Sequence, residues 1–461
     1  MGSPRKTAGL AALAVAVAAA AGPAAVRAES LADAMVMAVR NSPELALNRA
    51  NVRVLSEQAV QAAAGGRTQV SGTASITAQF SDLREFRYPT ALQLDVTQPL
   101  YTGGQVENAT EAAEIRITAE EARLIASEQL VLLNTVTSYS DVRRDLTLVS
   151  LGRNNVRVIS EQLRAARERF DVGEVTRTDV AQAEARLAAA RSTLAARVGQ
   201  LEISKEAYKR VVGAYPGELD PPPPLPDLPD DFDQAISISM VDQPAIRAAR
   251  LERNAAKTDV RTAIGALLPQ VSLLGQVRNQ DILGIESDSL SDASVGLQIQ
   301  IPIYSGGANY SNIREAQAQV EGRSADITTA LKDTAEQVGT AWADLKVAKA
   351  TIKAGRLEVR AARIAFEGVQ EEAKVGARTT LDVLDAEQEL LDARGSLVSA
   401  RRDEYVASYN LLFSVGKLTT DHLGLDMGDG AEPEAYYAAV KERNFSYDRT
   451  DDTVWTLSYR P

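Results

Sequence analysis

The sequence predicts a mixed α and β membrane protein built from one unit written twice. Three features carry that prediction. Landmarks recur about 200 residues apart, short stretches alternate apolar and polar residues, and two long proline-free stretches consist mostly of strong helix formers.

The first 28 residues read as a secretory signal peptide. Arg5 and Lys6 precede an apolar run from Ala8 to Ala21, and small residues stand at Val26 and Ala28, which is the charged, apolar, small order of a cleaved leader. The run is short for a membrane span. The formal charge is −12, and loss of three basic residues with the leader takes the mature chain to about −15. With 62 Asp plus Glu against 50 Lys plus Arg, no nucleic-acid partner is expected. There is no cysteine, which excludes disulfides and a lipid carried on an N-terminal cysteine. Beyond the leader, no run nears the roughly 18 uncharged apolar residues of a membrane helix, so entry into a bilayer would be by strands.

The duplication is legible in paired landmarks. "VTQPLYTGGQ" (96–105) answers "IQIPIYSGGA" (299–308), pairing Pro99 with Pro302, Tyr101 with Tyr304, and Gly103-Gly104 with Gly306-Gly307, each 203 apart. Gly173 and Gly376 keep the same interval, as do Asp179 and Asp382. "NSPEL" (41–45) and "DQPAI" (242–246) stand 201 apart, like "TQVSG" (68–72) and "PQVSL" (269–273). The first repeat is set at 29–213 and the second at 234–417, each a helix, two strands and a long helical hairpin. Prolines lock φ and remove backbone donors, so the Pro-rich segment 214–233 between them reads as an extended connector. The tail 418–461 has no counterpart and is read as an appendage.

Between Pro99 and Pro216, and again between Pro302 and Pro433, the chain has no proline and abounds in Ala, Glu, Gln, Arg and Leu. Each stretch breaks at one glycine turn, "DVGEVTRTD" and "KVGARTTLD", where Gly ends one helix and Thr or Asp caps the next. A first arm over 105–171 would be about 100 Å long. Arms of that length imply coiled-coil packing.

The strands show period-two alternation. In "QVSGTASITAQF" (69–80) the even positions are apolar or small and the odd ones polar, "LQLDVT" (92–97) continues the pattern, and "SVGLQIQIPI" (294–303) repeats it. "QVSLLGQVR" (270–278) is weaker, because Leu274 falls on the polar side. Such alternation suits a strand with lipid on one face and water on the other. A soluble sandwich alternates too; the leader and helical context favour the membrane. Four strands cannot close a barrel, since the smallest have about eight, and open edges in hydrocarbon are costly. The chain must therefore oligomerise, two copies giving eight strands and three giving twelve.

With these parts in place the chain resembles the TolC family of outer-membrane channels over nearly all its mature length. The specific matches are the duplicated halves, "PLYTGG" and "PIYSGG" closing the second strand of each pair, and the two "VG…T…DV" tips, above all "VGARTTLDVLDA". The resemblance implies a homotrimer with a twelve-stranded barrel in the outer membrane and an α-helical barrel in the periplasm. Such a trimer is a passive exit duct, without cofactor, for small molecules delivered by an inner-membrane efflux pump through a periplasmic adaptor protein. The alternative duty is type I protein secretion with an ABC exporter. By position, Asp382 and Asp385 match aspartates that ring the periplasmic entrance, and Asp179 and Arg378 match its latch network. A tyrosine of that network is replaced by Ala373 here, so the latch must differ in detail. Val172, Gly173 and Glu174, with Val375, Gly376 and Ala377, correspond to the tips that adaptors grip.

Asp382 and Asp385 admit three readings. On a helix, positions i and i+3 share a face. They could merely start a helix, where the dipole favours acids. They could be a catalytic pair, as in glycoside cleavage, but no histidine or aromatic sugar platform stands near them in the sequence. In a trimer they would form stacked acidic rings of the kind that select cations and attract divalent ions. His422 is the sole histidine and is assigned no role. The paired glycines lack phosphate-loop spacing and read as strand-to-helix corners, while Tyr101 and Tyr304 either join an aromatic girdle at the bilayer surface or pack those corners. A soluble periplasmic coiled-coil scaffold and a hydrolase are the readings from other classes.

Overall fold

The computed structural model describes residues 29–80, 86–283, 290–427 and 433–442; the leader expected over 1–28 lies outside them. The first unit runs α1 (Leu31–Asn41), α2 (Pro43–Ala64), β1 (Gln69–Ile76), a short β2 (Gln79–Phe80), β3 (Phe86–Tyr101), α3 (Gln105–Asp171) and α4 (Arg177–Val212). The second runs α5 (Phe232–Asp242), α6 (Pro244–Gly265), β4 (Gln270–Leu283), β5 (Leu290–Gln300), α7 (Ala308–Lys374) and α8 (Thr380–Ser414), and α9 (Pro433–Val440) follows. Two helices precede each pair of strands where the sequence suggested one. Pro43 and Pro244 each open a new helix in its first turn, the place where a missing N–H costs nothing.

The arms α3 and α7 each have 67 residues. Apolar residues at helical spacing, Val131, Leu132, Val136 and Tyr139 on α3 and Leu201, Tyr208 and Val212 on α4, are buried with Leu31, Met35, Tyr405 and Leu412 in one core. Each fully buried Leu or Val there contributes roughly 1.5–3 kcal/mol. The Pro-rich connector is tied down against this core. Glu29 forms a parallel bridge with Leu219, the Tyr139 hydroxyl donates to the carbonyls of Glu29 (3.0 Å) and Asp220 (2.8 Å), and the Tyr208 hydroxyl donates to Glu29 Oε1. The described part of the tail docks as well: Tyr436 donates to Glu57 and Tyr437 to Glu114.

The strands form an antiparallel sheet in the order β1-β3-β4-β5, with β2 alongside β3. Register places Val70, Val96, Gly275 and Val295 in one row and Ser71, Asp95, Gln276 and Ser294 in the next, so one face is apolar and the other polar. Leu274 does lie on the polar face, in register with Thr97 and Gly296. On that face Asp95 accepts from Gln93 Nε2 at 2.9 Å and Gln276 Nε2 at 3.1 Å. The apolar face is bare, with Val295 81% exposed. The outer edges, β1 and β5, have no strand partner among the described residues. No described helix is long and apolar enough to cross a membrane.

Candidate functional site

The tips of the two hairpins are built by the same local chemistry. At the end of α3, Gly173 takes φ 78°, its N–H donates to the Phe170 carbonyl, and the Glu174 N–H reaches back to Arg169. Gly376 takes φ 76°, with Gly376 donating to Ala373 and Ala377 to Glu372. Both are Schellman turns, which close the last orphan carbonyls of a helix and favour a residue without Cβ at the left-handed position. Val172 and Val375 precede these glycines and are strongly exposed. A bare apolar side chain thus stands at each of the two tips.

The next helices start with capping boxes. The Thr176 hydroxyl and N–H both donate to Asp179 Oδ2 at 2.8 Å, and Thr379 treats Asp382 Oδ2 identically at 2.8 Å. These bonds hold the Asp179 and Asp382 carboxyls below the usual carboxylate range. The helix-start chemistry thus accounts for the placement of both. In Asp382 both cap bonds fall on Oδ2.

Asp385 is used differently. It accepts from Arg186 of α4, an ion pair that joins the two hairpins within the first three turns of α4 and α8. Arg186 carried no signal in the sequence: its meeting with Asp385 depends on how α4 and α8 face each other, which periodicity does not encode. Arg378 donates to Glu372 Oε2 at 2.9 Å, on its own hairpin, so Asp179 and Arg378 are not brought together within one chain. Behind the pair, Ile159, Leu163, Ala183, Leu187 and Leu384 form a small core. Above it Glu387 is buried, and burial pushes its carboxyl up, with Arg394 opposing.

At the other end, Pro99 and Tyr101 lie in β3 opposite Ser272 and Val271, with a register shift between them. Pro302 and Tyr304 lie beyond β5, which stops at Gln300, the residue opposite Gln270 where β4 begins. Both tyrosine rings are exposed. Gly103 and Gly104 have φ 67° and 74°, and Gly306 and Gly307 have φ 63° and 87°. A Cβ at Gly103 would run into the carbonyl oxygen of Gly265, yet one at Gly306 would meet nothing within 4 Å. The second corner has the shape of the first without its neighbour.

Tips, duplicated hairpins and sheet coincide with a known family model. That of the outer membrane efflux protein matches residues 34–214 and 235–417. The chain belongs to the outer membrane efflux protein family. Outer membrane efflux protein BepC of Brucella suis biovar 1 (strain 1330) is 36% identical over 425 residues, spanning 92% of this chain and 93% of BepC. TolC of Vibrio cholerae is 24% identical over 409 residues, spanning 86% and 92%. The solved structure of VceC from Vibrio cholerae superposes with a TM-score of 0.71 at 21% identity, covering 84% of this chain and 96% of VceC. The family consists of channel proteins, and this outer-membrane efflux protein is one of them, with the TolC fold that its sequence resembles.

Proposed function

We propose that three copies close a twelve-stranded barrel and a continuous α-helical barrel, forming a passive duct for small molecules from periplasm to exterior. The observation that carries this reading is the open sheet. Its two bare edges and bare apolar face are untenable for one chain in lipid, and the empty flank of Gly306, where its twin Gly103 has Gly265, favours a second copy at that corner. The polar face of the sheet would line the lumen. Energy would come from an inner-membrane pump through a periplasmic adaptor seated on Val172–Glu174 and Val375–Ala377. At the entrance, Asp382 and Asp385 would stand in rings, with Asp179 and Arg378 joining across neighbouring copies as part of the latch.

Site-specific photocrosslinking in cells from Glu174 and Ala377, with mass spectrometry of what is caught, tests the reading. Capture of the adaptor of a drug pump is the expected result. An adaptor paired with an ABC exporter would make the duct a protein-secretion channel instead, and capture of no inner-membrane system would overturn the duct.

A further inference from the structure

Halfway along the hairpins, α3, α8 and the Pro-rich connector enclose a cleft of about 290 Å³. Four arginines line it, Arg143 and Arg144 from α3 and Arg401 and Arg402 from α8, in a chain of net charge −12. Two of the four are neutralised. Arg144 is held by Asp141 (2.9 Å) and Asp145 (2.8 Å), and Arg402 by the same Asp141 (2.7 Å) and by Asp403 (3.0 Å). Asp145 is fully engaged, since Ser204 also donates to it. Neither Arg143 nor Arg401 has a carboxylate partner among the described residues. Arg143 reaches only the Leu219 carbonyl, at 3.3 Å, and Arg401 is exposed. Pro222 and Val398 supply the apolar part of the remaining wall, and Ser140, Thr147 and Tyr405 complete it with hydroxyls; the Thr147 hydroxyl donates to the Arg143 carbonyl at 2.9 Å, and that of Tyr405 is turned to Tyr409.

A small concave space with an apolar wall and a few convergent charged donors is what organic ligands require, and the guanidinium fork is matched to carboxylate and phosphate oxygens. We propose that this cleft binds a small organic anion, its carboxylate or phosphate head on Arg143 and Arg401 and its apolar body against Pro222 and Val398. An occupant would touch α3, α8 and the connector together and so tie the two hairpins at mid-length. The cleft is complete within one chain, so the proposal stands or falls independently of the duct reading.

Titration calorimetry and thermal unfolding of the purified full-length protein test it, with phenyl phosphate, 3-phenylpropionate, inorganic phosphate and benzyl alcohol as probes. Saturable binding of an aryl anion with a rise in Tm is expected, at least ten-fold tighter than inorganic phosphate or the neutral alcohol. Whichever head group binds tighter identifies the ligand class. Arg401→Gln, at an exposed unpartnered site, should weaken binding at least ten-fold, and Val398→Glu should abolish it with the fold intact by circular dichroism. The proposal is overturned if neither aryl anion saturates, if the alcohol or inorganic phosphate binds equally well, or if Arg401→Gln binds like the parent.

Discussion

Arg186 on α4 donates to Asp385 on α8, binding the first hairpin to the second within the first three turns of those helices. Both side chains are about half-exposed, and an isolated pair of this kind is worth at most about 1 kcal/mol. In the proposed duct its importance would be geometric, because it ties together two hairpins that would have to part for the entrance to widen. Arg186→Glu sets two acids face to face and should raise single-channel conductance in lipid bilayers several-fold, whereas Arg186→Lys should behave like the parent. Equal conductance in all three would show that the pair does not restrain the entrance.

The capping boxes make the tips acid-sensitive. Bonds from Thr176 and Thr379 lower the pKa of Asp179 and Asp382 in the folded state, so the stabilisation is present above the ordinary carboxylate range and lost as pH falls through the lowered values. Thr176→Ala and Thr379→Ala should each cost about 1 kcal/mol at neutral pH. Amide exchange at 173–180 and 376–383 should rise in these variants at pH 7, and the difference from the parent should shrink below about pH 3.

Glu387 works in the opposite direction. Its carboxyl is pushed up by burial, so the folded state is penalised as pH rises above the ordinary glutamate range, where the unfolded chain has already ionised. Glu387→Gln should therefore stabilise the protein at pH 7 to 8, by about 1–3 °C in Tm, and have no effect below about pH 4. A destabilised Gln variant at pH 8 would mean that the ionised carboxylate has a favourable partner.

Much of this is legible in the sequence. The long arms announced themselves through glycine pairs at one end and glycine turns at the other, because few residues other than Gly tolerate the φ of 63° to 87° found at the paired corners and at the tips. Thr176 with Asp179, and Thr379 with Asp382, also lie three apart as a capping box requires. Strand alternation marked the faces of Gln69–Ile76, 92–97 and 294–300, and was weakest over 270–278, where Leu274 lies on the polar face. What escaped was everything decided by which helix lies beside which. Arg186 meets Asp385, Tyr437 of the tail meets Glu114, and Asp141 joins Arg144 to Arg402 across α3 and α8. No local pattern specifies such meetings, since each residue alone reads as a solvated charge or a spare ring.

The acidic rings proposed for the entrance make a separate claim on ion selectivity. Asp382 keeps Oδ1 outside its cap bonds, and three copies of it around an axis would concentrate negative charge on the path of any ion. Asp382→Asn with Asp385→Asn should lower cation-over-anion permeability in planar bilayers and reduce block by divalent cations about ten-fold or more. Thr379→Ala, which alters the cap and leaves the charge, should keep the selectivity. Unchanged selectivity in the double variant would place these acids away from the narrowest point.

The duplication also fixes how neighbouring copies should pair in the barrel. Within the chain Asp95 of β3 opposes Gln276 of β4. β5 repeats β3 at an offset of 203, and β1 repeats β4 at 201. In the proposed barrel the same juxtaposition should therefore recur between Gln298 of one copy and Ser75 of the next. Facing residues on antiparallel strands have Cα atoms about 4.5–5.5 Å apart, within disulfide reach, and a slip of one residue sends a side chain to the opposite face. Because the chain has no cysteine, Gln298→Cys with Ser75→Cys can be oxidised without background. The doubly substituted protein should give a covalent ladder ending at three chains, and pairing Gln298→Cys with Ala74→Cys or Ile76→Cys should give little product. A ladder ending at two chains would close the barrel at eight strands and overturn the trimer.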